Sequence, residues 1–442
     1  MKKNTNIRLL LLSFLLSPII LSATVLPLEL EGRIAETHNV VIARVLSSES
    51  YWDIAQQNIF TAYTLQIKTY LKKETVEGQE SLAQNLELIV PGGIVGDEME
   101  IHSPKVELNI GEQYLIIGKK AQSKNLNPKY MGLKDTPEFL ELHSYIQGVL
   151  PYHKNQYVDY LKESPMTEKN LIDKIKKITL QEPIAPTGAI YKPEEDTYPD
   201  EEITQRPISL LLKNGQGAVN PVFYGGTIEE DHHLIIEGNG FGNTIGTIEF
   251  PNSNSGGRTL MLLSHESDII SWTDQSIRVK IPSTAGSGNL LVKNSSGTLI
   301  GTGEIQIAWS LYSIYSTFKD FEVKTRQNIK LTDRNQEGGY TIQLNIPSQI
   351  VNSEAIAPLE RAMNTWSCNT GINWQLDKTG TNDGFANDGN SVIMFEPNLP
   401  AGILGITTSR YKASGSSSCN EFKTVWYLKE FDIQFLGYTC CP

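Results

Sequence analysis

The chain has 442 residues, 39% of them hydrophobic, and a formal net charge of −12. That length exceeds one ordinary domain and the composition shows no low-complexity bias, so about two to four folded units are expected and global disorder is excluded. An acidic chain with no dense Lys/Arg cluster repels a phosphate backbone, which sets nucleic acid aside as a partner.

The first residues address the compartment. Lys2, Lys3 and Arg8 give a positive start, Leu9 to Leu21 is an almost unbroken apolar run containing Pro18, and the small residues Ser22 and Ala23 follow. This is the layout of a secretory signal peptide over residues 1–23, with cleavage near Ala23. A membrane anchor is the alternative, but the run falls short of the roughly 20 residues needed to span a bilayer. No Cys stands beside the cleavage region for lipid attachment. The protein is therefore expected to be secreted or at the cell surface, with no membrane span after processing.

Short runs rich in Val, Ile, Leu, Thr and Tyr recur at Asn39–Arg44, Thr61–Tyr70, Leu86–Val90 and Gln113–Ile117, separated by turn residues such as Pro91-Gly92-Gly93. They predict a small antiparallel β domain or barrel over residues 25–120. Residues 121–180 have wider apolar spacing and many Lys and Glu, which predicts a helical segment. Pro and acidic residues dominate 181–206, as in Lys192-Pro193-Glu194-Glu195-Asp196, and such a stretch reads as an extended linker.

Strand signals return between Asn220 and Ile307, with glycine-rich turns between them, and predict a two-sheet sandwich. The blocks Ile235-Ile236-Glu237-Gly238-Asn239-Gly240-Phe241-Gly242, Gly246-Thr247-Ile248-Glu249-Phe250 and Ser271-Trp272-Thr273-Asp274-Gln275-Ser276-Ile277 come in order. They are followed by Val279-Lys280-Ile281-Pro282 and Gly288-Asn289-Leu290-Leu291-Val292-Lys293-Asn294. This succession closely resembles an IPT/TIG domain, here spanning residues 219–310. The resemblance implies an immunoglobulin-like sandwich that acts as a spacer or binding module without catalysis. Gly238, Gly240 and Gly242 also suggest a nucleotide loop, but a strand-like run follows them where a phosphate-binding helix is required, so turn glycines are the better reading.

The last segment opens with a strand at Gly338-Gly339-Tyr340-Thr341-Ile342. Ile356, Leu359, Met363 and Trp366 then recur at three- and four-residue steps, which predicts an amphipathic helix over Glu354–Trp366 with Ser353 as N-cap. Strand-like pieces follow at Ile372–Leu376, Ser391–Phe395, Ile403–Thr408 and Phe431–Phe435, so an α+β layer is expected. The helix Leu359-Glu360-Arg361-Ala362, the stretch Trp366-Ser367-Cys368-Asn369-Thr370-Gly371-Ile372-Asn373-Trp374, and the blocks Asp388–Phe395, Leu404–Thr407 and Glu430–Phe435 resemble secreted bacterial matrixin-like metalloproteases of the metzincin group. The resemblance covers residues 338–435 and implies the upper sheet of a catalytic domain with a helix behind it. The expected fold class is thus multidomain and mainly β: an N-terminal β domain, an immunoglobulin-like IPT/TIG sandwich, and an incomplete C-terminal α+β metalloprotease-like domain.

Zinc is the cofactor that the full-length family implies. Its chemistry needs an H-E-x-x-H helix, whose two His share one helix face and whose Glu reaches the metal-bound water. After Phe435 the chain instead reads Leu436-Gly437-Tyr438-Thr439-Cys440-Cys441-Pro442, and the seven histidines all precede the protease-like segment. Residues 436–442 are accordingly read as an aberrant or truncated tail, with no catalytic residue, no metal ligand and no cofactor in this chain. Neighbours on a strand point to opposite faces, so His232 and His233 do not readily chelate one metal, and His265 is an isolated loop residue.

The oxygen-rich loop Asp383, Asn387, Asp388, Asn390 suggests calcium, against a polar turn with Asx hydrogen bonds. No G-x-S-x-G elbow supports serine chemistry. All four cysteines lie late in the chain, and Cys368–Cys419 is the disulfide expected among three pairings. The partner classes left open are a protein or a glycan, bound by the β modules of an extracellular protein.

Overall fold

The computed structural model describes residues 25–26, 28–73, 82–130, 138–153, 156–157, 159, 166–192, 210–215, 223–226, 233–251, 253, 261–263, 268–295, 298–310, 313–316, 325–351, 353–414 and 425–437. The expected signal peptide lies outside them. Among them no helix is long and apolar enough to cross a membrane. The fold is mainly β, in several sheets.

The N-terminal unit begins with helix α1 (Leu30–Ala35) and continues through β1 (Asn39–Trp52), β2 (Ile59–Lys73), β3 (Asn85–Pro91), β4 (Gly93–Val95), β5 (Glu98–Ser103) and β6 (Gln113–Lys120). It then adds β7 (Glu138–Leu142), β8 (Val149–His153), β9 (Gln156–Tyr157), β10 (Met166–Thr167) and helix α2 (Glu168–Thr179). The order β1-β2-β3-β7-β6, with β6 pairing back to β1, closes a barrel in which only β3 and β7 run parallel. Closure explains the unbroken apolar run of β1. Val41, Ala43 and Val45 fill the barrel interior with Leu65, Leu88 and Ile116, while Val40 and Ile42 face outward. There they meet Leu30 and Ile34 of α1 and Leu171, Ile172 and Ile175 of α2. Buried Arg33 fixes α1 through the carbonyl of Gln147 at 2.9 Å and the carboxylate of Asp159.

Three expectations for this half are corrected. Residues 121–180 contain the strands β7 to β10, and α2 is the one α-helix among their described residues. Phe139, Leu140 and Leu142 owe their spacing to a strand that is buried on both faces between β3 and β6. The barrel therefore does not end at residue 120. The expected linker is docked at its start, since Ile184 and Tyr70 exchange backbone hydrogen bonds of 2.8 and 2.9 Å and the Tyr191 hydroxyl donates to Glu168 at 2.7 Å. Residues 193–206 lie outside the described residues.

The middle unit comprises β11 (Leu211–Asn214), β12 (Phe223–Gly225), β13 (Leu234–Glu237), β14 (Thr247–Pro251), β15 (Met261–Leu263), β16 (Ile269–Trp272), β17 (Ser276–Val279), β18 (Gly288–Lys293), β19 (Leu299–Ile305) and β20 (Ile307–Ser310). Two four-stranded sheets, β11-β13-β17-β16 and β15-β14-β18-β19, share one core of Ile236, Phe241, Phe250, Ile277, Leu290 and Val292 among others. Gly240 and Gly242 take φ of +80° and +75° in the turn from β13 to β14, a backbone region that glycine enters at little cost. A strand on each side of that turn leaves no helix for a phosphate.

The C-terminal unit holds β21 (Ser313–Ser316), β22 (Thr325–Lys330), β23 (Gly339–Asn345), helices α3 (Ile346–Val351) and α4 (Ile356–Thr370), β24 (Asn373–Thr381), β25 (Ser391–Glu396), β26 (Gly405–Ser414) and β27 (Val425–Leu436). Its sheet runs β24-β23-β25-β27-β26 and is extended by β5 and β4 of the N-terminal half. The first four of these strands are parallel, whereas β26 is antiparallel both to β27 and to β5. Ile356, Leu359 and Met363 of α4 pack on one face, against a core that includes the aromatic trio Tyr340, Trp374 and Phe431 with centroids 5.4 to 5.6 Å apart. Met99 and Ile101 of β5 belong to the same core.

The helix departs from its expected limits. Ser353 starts a short 3-10 turn instead of capping α4, which begins at Ile356 without a side-chain cap and carries Pro358 in its first turn, where no N–H is required. Trp366 is 63% exposed, so the apolar stripe ends one turn earlier than its spacing implies. Gly371 closes the helix in the left-handed conformation, its N–H donating to Ser367 O at 3.0 Å.

Candidate functional site

The barrel and the C-terminal sheet interlock. Val25 bridges to Ile403, Leu26 N donates to Gly402 O at 2.7 Å, and Ile403 and Ile406 enter the barrel core. The hairpin β4–β5 makes the reverse connection by adding to the edge of the C-terminal sheet. A cleft of about 870 Å3 lies between the two units.

Beside the cleft, three strands present a grid of polar side chains. Residues two apart on a strand share a face, so Glu100 and His102 on β5, Thr408 and Arg410 on β26, and Glu430 and Asp432 on β27 all point the same way. The register sets Arg410 between Glu100 and Glu430, and Thr408 between His102 and Asp432. All six are buried. Arg410 donates from Nη1 to Asp432 Oδ2 at 2.7 Å and to Glu430 Oε1 at 2.9 Å, and from Nε to Glu100 Oε2 at 3.2 Å. The Ala386 carbonyl accepts from Nη1 at 3.0 Å, and the Phe385 ring lies 4.8 Å from the guanidinium. His102 Nε2 sits 2.7 Å from Glu100 Oε1, and Nδ1 sits 3.1 Å from Thr408 Oγ1. The neutral tautomer that serves both partners donates from Nε2 to Glu100 and accepts at Nδ1 from Thr408.

One guanidinium thus faces three carboxylates. Burial pushes the Asp432 carboxyl up to about 6, with Arg410 opposing the rise. Glu430 is raised for the same reason, although Arg410 and the Gly389 N–H both favour its charged form. For Arg410, burial works against the charge, but Glu100, Asp432 and Glu430 outweigh it and hold the group above its ordinary value. The cluster ties β26 to both of its neighbours, β5 and β27, through one side chain.

These six residues carry no sequence motif. Their signal was the alternation of charged and apolar residues along Glu430-Phe431-Asp432-Ile433 and Glu98-Met99-Glu100-Ile101-His102. What linear reading could not supply is the pairing of residue 100 with residue 410.

The residues singled out from sequence do not converge. Cys368 is an exposed thiol on α4; Cys419, its expected partner, lies outside the described residues with Cys440 and Cys441, and so does the expected bridge. In the loop considered for calcium, Asp383 Oδ2 accepts from Thr381 Oγ1 at 2.7 Å and Asp388 Oδ1 accepts from Asn390 N at 2.8 Å. Asn387 Oδ1 accepts from Lys429 Nζ at 3.3 Å. Short Asx-type turns and a lysine occupy these oxygens. His233 Nε2 accepts from Arg278 Nε at 3.0 Å, and His232 and His265 lie outside the described residues.

Among the described residues no three His, Cys, Asp or Glu are grouped to hold a metal, and both ring nitrogens of His102, the histidine on this sheet, have protein partners. The described lining of the cleft contains no serine, threonine or cysteine to act as a nucleophile.

No family model matches the chain, and no curated protein matches it. Among solved structures, a gamma-CGTase from the alkalophilic Bacillus clarkii matches at 15% identity over 60% of this chain, with a TM-score of 0.16. The match spans 26% of that enzyme's length.

Proposed function

We propose that this chain is an exported member of the matrixin-like zinc metalloprotease family, in which residues 219–310 form an IPT/TIG module of immunoglobulin-like fold. The observation that supports the reading is the spatial union of the C-terminal blocks. The helix Leu359–Ala362 and the blocks ending at Phe395, Thr407 and Phe435 fall on α4, β25, β26 and β27, one sheet with a helix against one face. That is the layout the resemblance implies, an upper sheet backed by a helix. The two-sheet middle unit supports the second half of the reading in the same way.

On this reading the residues present supply the sheet of the catalytic domain and not its zinc centre. Sequencing the gene through and beyond the codon for Pro442, read in all frames, tests it. An H-E-x-x-H stretch within a few tens of codons is expected, together with chelator-sensitive proteolysis by the extended protein. Its absence from every frame would overturn the family reading.

The two-sheet middle unit favours a second reading, an extracellular binding protein that uses its β modules on a protein or glycan ligand. Array binding by residues 210–310 would support the sandwich as the binding module, and silence across the array would count against it.

A further inference from the structure

The hairpin strand β5 joins the C-terminal sheet along a seam that pairs Glu98 to Ser103 with Lys412 to Thr407. Met99, Ile101 and Tyr411 turn one face of the seam into the core of that sheet. The other face carries Glu100, His102, Thr408 and Arg410, and from it Glu100 and His102 line the cleft. The barrel touches the same place. Asn58, in the turn between β1 and β2, accepts from Arg410 Nη2 at 3.4 Å, and Gln57 Oε1 accepts from Asn387 N at 3.2 Å. The seam is therefore a wall of the cleft, held on one side by apolar packing and on the other by charge.

That charge is out of balance. Strand β26 brings Arg410, β5 brings Glu100 with His102 on its second oxygen, and β27 brings Glu430 and Asp432. The loop before β25 adds Asp388, whose charge acts on Glu430, and the Gly389 N–H. Lys412 and Lys429 pair with Glu98 at the outer end of the seam, at 3.2 and 3.5 Å. With its carboxylates ionised and His102 neutral, the buried group sets three negative charges against one positive, an excess that a low-dielectric surround penalises. A proton on Asp432 removes part of the excess. One on His102 removes more and keeps both ring contacts, because the Thr408 hydroxyl accepts as readily as it donates. Burial is the main cause that raises the carboxyls of Asp432, to about 6, and of Glu430.

We propose that the β5–β26 seam is a pH-sensitive latch on the cleft, closed more firmly as the carboxylates around Arg410 take up protons and opened more readily as they give them up. The closed seam binds these protons more tightly than the open one, where water reaches Asp432 and Glu430. Its extra stability is complete below the ordinary carboxylate range and is lost as pH rises through about 6. Opening uncovers the wall that Glu100 and His102 form, so the cleft gains access above neutrality. The latch rests on this cluster and not on the family reading, so failure of one leaves the other standing.

Hydrogen exchange of the full chain, read by mass spectrometry at pH 5 and pH 8 and corrected for the intrinsic rate at each, tests it. The opening constant of β5 should rise about tenfold between the two, the change that one carboxyl moved from 3.8 to about 6 supplies. The sandwich strand β18 and the barrel strand β1 should change less. Asp432→Asn keeps an oxygen for Arg410 and carries no charge. It should therefore protect β5 at pH 8 about as well as the wild type is protected at pH 5, and melt no lower than the wild type at pH 8. The wild-type comparison of β5 with β1 stands whatever the variant does to folding. The proposal is overturned if β5 exchanges alike at both pH values, if β1 shifts in step with it, which would make the effect one of global unfolding, or if folded D432N keeps the wild-type response.

Discussion

At the scale of single residues, Arg410 has the largest consequence. Its guanidinium is hydrogen-bonded to Glu100, Glu430 and Asp432, all of them buried. Replacing it with Met leaves three carboxylates without that partner, and removing one side of a buried ion pair costs about 3–5 kcal/mol. The loss depends on pH with a definite sign. In the folded wild type, Asp432 titrates near 6 and Glu430 is also raised. Each binds its proton more tightly folded than unfolded, so each contributes stability below its ordinary pKa that is lost as pH rises toward the folded value. Without Arg410 both values climb further. Thermal melts of R410M should therefore fall furthest below wild type near pH 8 and recover part of the difference near pH 5. An equal deficit at both pH values would show that lost packing, not charge, sets the cost. Cys368 offers a simpler check: as a free, exposed thiol on α4 it should be alkylated by iodoacetamide in native buffer, within minutes and without reductant. Protection until a reductant is added would show the expected bridge.

At the scale of elements, the hairpin β4–β5 ties the two halves together, and Gly93 is where the chain leaves the barrel to form it. Gly93 has φ of +147°, and a Cβ there would collide with the hydroxyls of Ser50 and Thr61. Gly93→Val should cost about 1–3 kcal/mol through strain and overpacking. Met99→Ala should cost about 2–5 kcal/mol although residue 99 belongs to the N-terminal half, because its side chain lies in the C-terminal core. Quenching of Trp426, also in that core, reports the second loss directly by urea titration. If M99A unfolds with wild-type midpoint, the hairpin is an ornament on the sheet edge and not part of its core. These same elements show what the sequence disclosed. Pattern alone found β1, β2, β3, β6, the two-sheet middle unit and the stripe of α4, because each is set by local periodicity. It missed β7, whose two buried faces hide the alternation of a strand. It also missed the transfer of β4–β5 to another sheet and the cluster that follows from it, because register between residues some 300 apart in sequence is a tertiary choice.

At the scale of the whole molecule, interlocking decides which parts unfold together. Ile403 and Ile406 sit in the barrel core, Met99 and Ile101 sit in the core of the C-terminal sheet, and Arg410 binds Glu100 across the junction. Neither core is complete without chain from the other, so loss of one exposes apolar surface on both. The middle unit differs: its core is built wholly from residues between Leu210 and Ile307. Calorimetry of the full chain should accordingly give two transitions, one for the sandwich and one shared by the barrel and the C-terminal sheet. R410M and M99A should lower the shared transition and leave the other in place. The barrel amides of β1 and the sheet amides of β27 should exchange hydrogen in a single cooperative unit, with similar opening free energies, while those of β18 follow their own. Separate transitions for barrel and sheet, or a shift of the sandwich in M99A, would show that the junction carries no cooperativity and that the β4–β5 exchange is geometry without energetic consequence.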